Sequence, residues 1–287
     1  MLKINSFLPD QNSYTQVTQS IANIPKRLWL CGDLPTTRRP SVAIVGTRKP
    51  TPYGKEVTYR LSYELASRGI VIISGLALGV DGIAHRAALD ADGTTIAILP
   101  TPIESIHPTI HRKLADQIVA SGGALISEYS ADDGVYKQNF VARNRIVTAL
   151  SDGVLITEAA SRSGTLTTAN FALEQGRPVM AVPGNITSLL SAGCNNLLKI
   201  GATPITDVSD VLHELGLQNI GEQTELPLAK TKEEDVLLRL MQGGIRDGEM
   251  LHQKSGLDAA TFSQTMSMLE IEGKIRALGA NQWALRT

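Results

Sequence analysis

The chain has 287 residues, 43% of them apolar, which is enough to build the core of one large domain and a smaller one. Its 27 basic and 28 acidic side chains leave a net charge of −1, so any nucleic-acid binding must come from a local patch. The two cysteines, Cys31 and Cys194, form no CxxC pair, and no signal peptide or membrane-length apolar run is present. We therefore expect a cytoplasmic protein without a cysteine-based zinc site or a membrane span.

Strands and helices alternate regularly from residue 41 onward. Short apolar runs predict strands at residues 42–45, 70–73, 95–99, 124–127, 153–157 and 179–182. Apolar-periodic segments predict helices at residues 53–68, 80–91, 110–120, 142–150, 192–200 and 208–215, and another that ends at Gly176. This alternation predicts an α/β fold, an extended Rossmann-like, doubly wound, mostly parallel sheet over residues 1–220. The polar residues 1–40, with a short strand at 28–30, are expected to pack on an edge of that sheet.

The C-terminal part of the chain has a different pattern. Residues 221–231 are polar and lack periodicity, which is typical of a linker. Residues 232–287 then predict helices at 233–241, 249–254 and 258–272 and a β-hairpin at 274–278 and 282–285. Three helices and a hairpin in so short a segment predict a small winged-helix domain.

The charge of this small domain argues against sequence-specific binding of duplex DNA. The helix predicted at 258–272 stands in the position of a recognition helix, yet it contains no Lys or Arg. Duplex recognition needs basic and amide side chains there. A transcriptional regulator that acts through the winged helix is therefore disfavoured, and we expect this domain to contact protein.

The residues that follow the strands predict where a ligand binds, because ligands of doubly wound sheets lie at the carboxyl ends of the strands. Gly46 and Arg48 follow the first predicted strand, and Ser74 and Gly75 follow the second. The turn Ser163-Gly164-Thr165 precedes a helix, whose free N–H groups and dipole favour an anion. These residues together predict a phosphate site.

A basic segment with one aromatic residue precedes the fifth of these strands. It contains Lys137, Phe140, Arg143, Asn144 and Arg145. Proteins that bind single strands combine backbone neutralisation with base stacking. Core packing is an equally weighted alternative for Phe140.

Ion pairs are the competing interpretation of the arginines. For Arg48, contact with the ligand is favoured over an ion pair with Glu128 or Glu158. Arg145 and Asn144 could instead brace the site by pairing with these strand-end acids, so Arg143 and Lys137 are preferred over them as contacts. A carboxylate pair for catalysis is less favoured than such ion pairs.

Three enzyme classes can be compared with these loops. The GxGxxG pattern of dinucleotide binding and the GxxxxGK[ST] pattern of P-loop proteins are both absent. Gly164 and Thr165 match part of the PGGxGTxxE loop of phosphoribohydrolases, but Thr168 stands where that motif has its acid. Asp81 and His85 lie one helical turn apart, and a structural hydrogen bond is favoured over a catalytic pair. Binding without catalysis is the leading hypothesis, with a nucleotide-monophosphate-acting enzyme as the alternative.

When these loops are taken together in chain order, the chain resembles the DNA-processing protein A family (DprA, also called Smf). The shared motifs run collinearly and are Val45-Gly46-Thr47-Arg48, Ser74-Gly75-Leu76-Ala77, Gly79, Asp81, His85, Gly122-Gly123, Ser127-Glu128-Tyr129, Phe140, Arg143-Asn144-Arg145, Glu158-Ala159, Ser163-Gly164-Thr165, Pro183-Gly184, Gly193, Asn195 and Gly201-Ala202. The resemblance implies a homodimer that binds single-stranded DNA and helps to load the recombinase RecA onto it in natural transformation. It implies no catalysis and no cofactor or metal.

Three features depart from the family pattern. The chain shows no N-terminal helical, SAM-like domain of the kind that many members carry. Pro100-Thr101-Pro102 stands where a glycine-containing turn is expected, and His107-Pro108 replaces the usual Tyr-Pro. These differences concern the loop after the third predicted strand.

Overall fold

The computed structural model describes residues 3–217, 231–242, 245–272, 274–279 and 281–285. The chain divides into two compact units, Met1–Gln218 and Asn219–Thr287. Apart from residue 231, the predicted linker at 221–231 lies outside the described residues. Among the described residues, no helix has both the length and the apolar character needed to cross a membrane.

The first unit is built on a nine-stranded sheet. Its strands are β1 (Ile4–Phe7), β2 (Leu28–Gly32), β3 (Ser41–Val45), β4 (Val71–Ser74), β5 (Thr95–Leu99), β6 (Ala124–Ser127), β7 (Gly153–Ile156), β8 (Val179–Ala181) and β9 (Thr203–Pro204). Its helices are α1 (Pro52–Ser67), α2 (Val80–Asp90), α3 (Arg112–Ala120), α4 (Lys137–Ala142), α5 (Asn144–Leu150), α6 (Thr165–Glu174), α7 (Ala192–Lys199) and α8 (Val208–Glu214). Short 3-10 helices occur at Pro9–Gln11, Gln16–Ser20 and Thr109–His111.

The strand order confirms the doubly wound, mostly parallel sheet. The order is β1-β2-β6-β5-β4-β3-β7-β8-β9, and every pair from β6 to β9 is parallel. The chain runs outward from β3 to β6, returns to the centre, and runs outward again from β7 to β9. The order therefore reverses between β3 and β7, where loops diverge to opposite faces and leave a crevice at the carboxyl ends.

The N-terminal segment packs on an edge of the sheet, as expected. Strand β2 pairs antiparallel with β6, and β1 pairs antiparallel with β2. Tyr14, which lies between the two strands in the chain, is fully buried in the core. The sequence pattern did not predict β1, which carries two polar residues in four, or β9, which is two residues long.

Two layers of helices cover the sheet because its strands are apolar on both faces. On one face, the side chains of β3–β8 pack against α5, α6 and α7. On the other face, they pack against α1, α2, α3 and α8. The central strands β3, β4 and β5 are buried along their whole length, which is typical of a parallel sheet covered on both sides.

The helix predicted at 142–150 is α5, which begins two residues later, and a helix that the sequence did not predict, α4, directly precedes it. Helix α4 begins at Lys137, and α5 begins at Asn144, with Arg143 at the junction. The main-chain N–H of Arg143 donates to the carbonyl of Asn139 at 2.9 Å, so the second helix continues directly from the first. The junction places the Arg143 side chain under the carboxyl ends of the strands.

The second unit confirms the winged helix. It contains α9 (Lys232–Gln242), α10 (Gly248–Ser255), α11 (Ala259–Ile271), and an antiparallel hairpin of β10 (Ile275–Gly279) and β11 (Gln282–Leu285). Its core is formed by apolar residues from all three helices and from the hairpin, namely Leu237, Leu238, Met241, Leu251, Met266, Leu269 and Ile275. Asp247 and Asp258 cap α10 and α11 by accepting main-chain N–H groups.

Candidate nucleic-acid interface

An open cavity of about 1030 Å³ lies where the strand order reverses. We call it the edge cleft. Four groups of residues line it: the loop after β3, the loop after β4 with the start of α2, the α4–α5 junction, and the turn before α6. The lining residues are Val45, Gly46, Thr47, Arg48, Ala77, Asp81, Phe140, Val141, Arg143, Asn144, Ala160, Arg162, Ser163, Gly164, Thr165 and Thr168. The edge cleft thus brings together most of the predicted site residues, from segments more than one hundred residues apart.

Hydrogen bonds to neighbouring elements fix the loop after β3. The N–H of Thr47 donates to the carbonyl of Glu158 at 2.8 Å, and the carbonyl of Thr47 accepts from the N–H of Val80 at 3.2 Å. Gly46 is required at this point, because a Cβ there would lie 2.6 Å from a methyl group of Val80 and 2.9 Å from the Glu158 carbonyl. Arg48 follows directly and is exposed.

Arg48 forms no ion pair with any residue that the structure describes. The carboxylate of Glu158, one of its expected acidic partners, instead accepts from the N–H of Thr51 at 2.8 Å and from its hydroxyl at 2.6 Å. The guanidinium of Arg48 lies 5.8 Å from the ring centroid of Phe140. Its charge therefore remains available to a ligand in the edge cleft.

Phe140 lies between two polar side chains. Its ring is half-buried, with Arg48 on one side and the ring of His107 at 5.3 Å in an edge-on arrangement. Phe140 lines the edge cleft and also a neighbouring pocket of about 320 Å³, which includes Leu78 and Pro100. This position at the border of two cavities favours the stacking interpretation over core packing.

Arg143 ties the α4–α5 junction to two strand ends. Its side chain is buried, with the residue 5% exposed, and Nη1 donates to the carbonyl of Gly75 at 2.6 Å and to that of Ile98. Nε donates to the side-chain oxygen of Asn144 at 3.1 Å. The sequence had favoured Arg143 as a direct contact, but these bonds give it mainly a positioning role at the floor of the cleft.

Burial perturbs the charged groups below the cleft. Burial lowers the pKa of Arg143 to about 10, an effect that the nearby carboxylate of Asp81 opposes. Burial likewise raises the pKa of Asp81, against the influence of Arg143 and of the N–H groups of Ala77 and Gly75. Arg143 and Asp81 therefore stabilise each other's charge in a region with little water.

The predicted bond between Asp81 and His85 does not form. Asp81 accepts from the N–H groups of Gly75 at 3.1 Å and Ala77 at 3.3 Å, and so shapes the loop after β4. His85 instead pairs through Nδ1 with the hydroxyl of Thr95 at 2.7 Å. Asp81 thus supports the cleft, whereas His85 ties α2 to the amino end of β5.

Arg145 forms a buried ion pair with Glu128. Its two terminal nitrogens donate to the two carboxylate oxygens of Glu128 at 2.7 and 2.6 Å, and Nε donates to the carbonyl of Asn23 at 2.8 Å. The two side chains are 10% and 14% exposed. This geometry corresponds to the bracing alternative and connects α5, β6 and the N-terminal segment. Ser74 is also internal, since its hydroxyl donates to the carbonyl of Ile44 at 2.6 Å.

The turn before α6 is open at the cleft. The hydroxyl of Ser163 accepts from the N–H of Thr165 at 3.2 Å and donates to the Thr165 hydroxyl at 3.0 Å. Gly164 is exposed, and a Cβ at this position would meet no atom within 4 Å. The first turn of a ten-residue helix therefore faces open space with its positive dipole end.

Arg162 was not selected from the sequence, although it precedes this turn. It is exposed and lines the edge cleft together with Arg48 and Arg143. Asp81 is the one acidic residue in the lining, so the cleft carries an excess of positive charge. One feature of the sequence could have identified Arg162: it follows the fifth predicted strand. Lys137 is exposed at the start of α4 and lies outside the cleft lining.

Comparison with known proteins gives consistent matches. The family described as DNA recombination-mediator protein A matches residues 5–216, and the DprA winged helix domain matches residues 221–281. Protein Smf of Escherichia coli is 35% identical over 96% of this chain and 76% of its own length. The DNA processing protein DprA of Bacillus subtilis is 38% identical over 76% of this chain and 73% of its own length.

Two solved structures resemble the present one. DprA of Streptococcus pneumoniae matches with a TM-score of 0.68 and 36% identity, and covers 74% of each chain. DprA of Helicobacter pylori, whose structure was described for its single-stranded DNA binding mode, matches with a TM-score of 0.66 and 36% identity. This second match covers 75% of the present chain and 96% of the Helicobacter chain.

Proposed function

This chain belongs to the DNA recombination-mediator protein A family, and we propose that it binds single-stranded DNA in the edge cleft without cleaving it. The observation that carries the proposal is the composition of the cleft. Two exposed arginines, a half-buried phenylalanine and the open N-terminus of α6 face one cavity at the switch point of the sheet. Cationic groups beside an aromatic ring are the combination that single-strand binders use.

The residues divide into contacts and supports. Arg48, Arg162 and Lys137 neutralise phosphates as exposed cations. The turn of Ser163, Gly164 and Thr165 binds a further phosphate through its hydroxyls and N–H groups. The remaining predicted residues give the cleft its shape, through close approach at the glycines and through hydrogen bonds at the other positions; they are Gly46, Ser74, Gly75, Arg143, Asn144 and Arg145.

Phe140 supplies the stacking surface for a base. Its ring is half-buried and lies between two cavities, so one base can contact it from the cleft. Each stacked base contributes about 1–3 kcal/mol to single-strand binding. Stacking is tolerant of sequence, so we expect little discrimination among bases.

The absence of catalysis is part of the proposal. Thr168, at the position of the acid in phosphoribohydrolases, lines the cleft with a hydroxyl that cannot act as a general base near neutral pH. Glu158 is occupied by Thr51, and Glu128 by Arg145. Release of free base from nucleoside monophosphates incubated with the purified protein would revive the enzymatic alternative.

We assign the protein, by the same proposal, to loading RecA onto single-stranded DNA in natural transformation, as a cytoplasmic homodimer. The winged helix contributes protein contacts. Its helix α11 has no Lys or Arg along its length, and Met268 and Ile271 are exposed on it. The rate of RecA assembly on single-stranded DNA with and without the protein tests the loading step, and sedimentation of the purified protein tests the dimer.

Titration of a fluorescent single strand and of the matching duplex, at several salt concentrations, tests the DNA-binding proposal. With the three cationic contacts Arg48, Arg162 and Lys137, the log–log slope of affinity against salt is expected to be roughly −2. Arg48→Ala and Lys137→Ala should each weaken binding and make the slope shallower. Lys3→Ala is the matched control, because Lys3 is exposed at the amino edge of the sheet. Equal affinity for duplex and single strand would contradict the proposal.

A further inference from the structure

A second cavity of about 810 Å³ lies between helices α1 and α2, on the solvent side of the first unit. We call it the α1–α2 groove. Its lining residues are Lys55, Glu56, Tyr59, Arg60, Ile83, Arg86 and Asp90. None of them lines the edge cleft, and none belongs to the motifs that define the family resemblance.

The groove has more basic than acidic side chains, and one of its two acids is already engaged in a hydrogen bond. Lys55, Arg60 and Arg86 face Glu56 and Asp90, which leaves an excess of one positive charge. The carboxylate of Asp90 already accepts the phenol of Tyr59 at 2.9 Å. Lys55 and Arg86 are exposed and form no ion pair with the residues that the structure describes.

Two exposed tyrosines form an aromatic strip on α1, of which Tyr59 lines the groove and Tyr63 lies next to it outside the lining. Tyr59 and Tyr63 are one helical turn apart, and their rings lie 6.1 Å apart and 20° from parallel. They are 41% and 40% exposed, so a face of the strip is accessible to a flat ligand. Exposed aromatic rings beside unpaired cations suit the bases and phosphates of a single strand.

The groove starts at the carboxyl edge of the sheet, where the edge cleft also lies, because both of its helices begin there. The loop that carries Arg48 bonds to the start of α2 through Val80, and α1 starts four residues after Arg48. At about 1.5 Å per helical residue, Ile83 lies roughly 5 Å and Asp90 roughly 15 Å from the first residue of α2. The groove is therefore roughly 10 Å long, which corresponds to about three nucleotides at a stacked spacing of about 3.4 Å.

A further cavity, lined in part by the residues around the start of α1, has no basic side chain. It has a volume of about 730 Å³ and is lined by Glu158 together with hydroxyl, amide and neutral residues, without a Lys or Arg. A polyanion that leaves the edge cleft finds no cation there and is attracted toward Lys55 and Arg86. Charge complementarity and the start of the groove at the same edge of the sheet therefore both favour the α1–α2 groove as the exit path.

We propose that the α1–α2 groove is a second subsite for single-stranded DNA, which stacks bases on Tyr59 and Tyr63 and neutralises phosphates with Lys55 and Arg86. The inference rests on the proposed binding in the edge cleft and extends it by about three nucleotides. Arg60, whose guanidinium donates to the carbonyl of Thr206 at 3.1 Å, closes the far wall of the groove.

Oligonucleotides of two lengths test the subsite. Strands of about five and about sixteen nucleotides bracket the site sizes of single-strand-binding domains. The combined variant Tyr59→Leu with Arg86→Ala should bind the long strand roughly tenfold more weakly, because a stacked base and a phosphate contact are lost. Its affinity for the short strand should stay within about twofold of wild type, because the edge cleft suffices for that length.

Two further variants separate the subsite from an effect on folding. Tyr59→Phe removes the bond to Asp90 but keeps the ring, so it should retain the affinity for the long strand. The pair Lys3→Ala with Lys199→Ala removes two exposed lysines at the amino edge and should leave both affinities unchanged.

Equal long-strand affinity in wild type and the combined variant overturns the subsite and leaves the proposed function standing. An equal loss for both lengths also overturns it, since the residues would then act through the edge cleft. If wild type binds neither strand, the proposed function itself is wrong, and the subsite with it.

Discussion

The guanidinium of Arg143 lies directly against the main chain of Gly75. Nη1 donates to the Gly75 carbonyl at 2.6 Å, and a Cβ built on Gly75 would overlap the guanidinium. A residue other than glycine must displace the arginine from the strand ends. The requirement for glycine at this position thus comes from the arginine that supports the cleft.

Gly75→Ala is expected to destabilise the protein and to weaken its binding of single strands. Overpacking at a buried site costs about 1–3 kcal/mol, and displacement of Arg143 leaves the carbonyl of Ile98 without its partner. Urea denaturation measures the first effect, and DNA titration the second. Gly164→Ala is the control for stability, because a Cβ there meets no atom within 4 Å. Equal unfolding free energies for the two variants would show that Arg143 can move without cost.

The fold could be predicted from the sequence. Short apolar runs that alternate with apolar-periodic segments are typical of a parallel sheet with helices on both faces. Strands β5 and β6 have the predicted bounds, and β3, β4, β7 and β8 differ by about one residue at an end. Strand β1 escaped prediction because it is an edge strand with half of its residues polar, and β9 because two residues carry no period.

The candidate site was accessible only in part. The loops that follow the strands could be placed at one edge, so Arg48 and the turn before α6 were found. The burial of Arg143 could not be predicted, because its acceptors Gly75 and Ile98 are 68 and 45 residues away in the chain. The same holds for Arg145 and Glu128, for which the sequence left two interpretations open. Long-range hydrogen bonds have no local signature in the sequence.

The Arg145–Glu128 ion pair is expected to contribute to stability. Removal of one partner from a buried pair leaves an uncompensated charge and costs about 3 kcal/mol. We expect Arg145→Ala and Glu128→Ala each to lose an amount of this order, and the double variant to lose less than the sum. A double-mutant cycle from urea denaturation gives the coupling, expected at about 1–3 kcal/mol. Strict additivity of the two losses is the contrary result.

His85 should make stability depend on pH. Burial, followed by the charges of His111 and Arg143, lowers its pKa to about 3, far below its ordinary value near 6.5. The folded state therefore stays unprotonated at this position while the unfolded state takes up a proton below pH 6.5. The stabilisation is complete above that pH and is lost progressively as the pH falls toward 3.

His85→Gln isolates this contribution from that of other groups. Between pH 7.5 and 5.5, the unfolding free energy of wild type should fall by about 1.4 kcal/mol more than that of the variant. Urea denaturation of both proteins at the two pH values measures the difference. Parallel pH profiles would mean that His85 is protonated in the folded state.

Arg162→Ala tests the cationic residue that the sequence reasoning missed. Loss of one phosphate contact should weaken single-strand binding and reduce the steepness of the salt dependence by about 0.7. Its stability should be unchanged, because Arg162 is exposed and forms no ion pair with the described residues. Titrations at low and high salt give the slope. An unchanged slope would remove Arg162 from the contacts.

Phe140→Leu tests base stacking as distinct from phosphate neutralisation. Leucine keeps an apolar side chain at the border of the two cavities but has no aromatic face, so affinity should fall by the value of one stacked base, about 1–3 kcal/mol. The salt slope should not change, because no charge is lost, and this separates Phe140 from Arg48. Phe171→Leu is the matched control, since Phe171 is half-buried on α6 and does not line the cleft. Phe140→Tyr should bind nearly as wild type, because the ring is kept. If Phe140→Leu binds as tightly as wild type while Arg48→Ala does not, the edge cleft holds the DNA backbone alone, and its bases face the solvent.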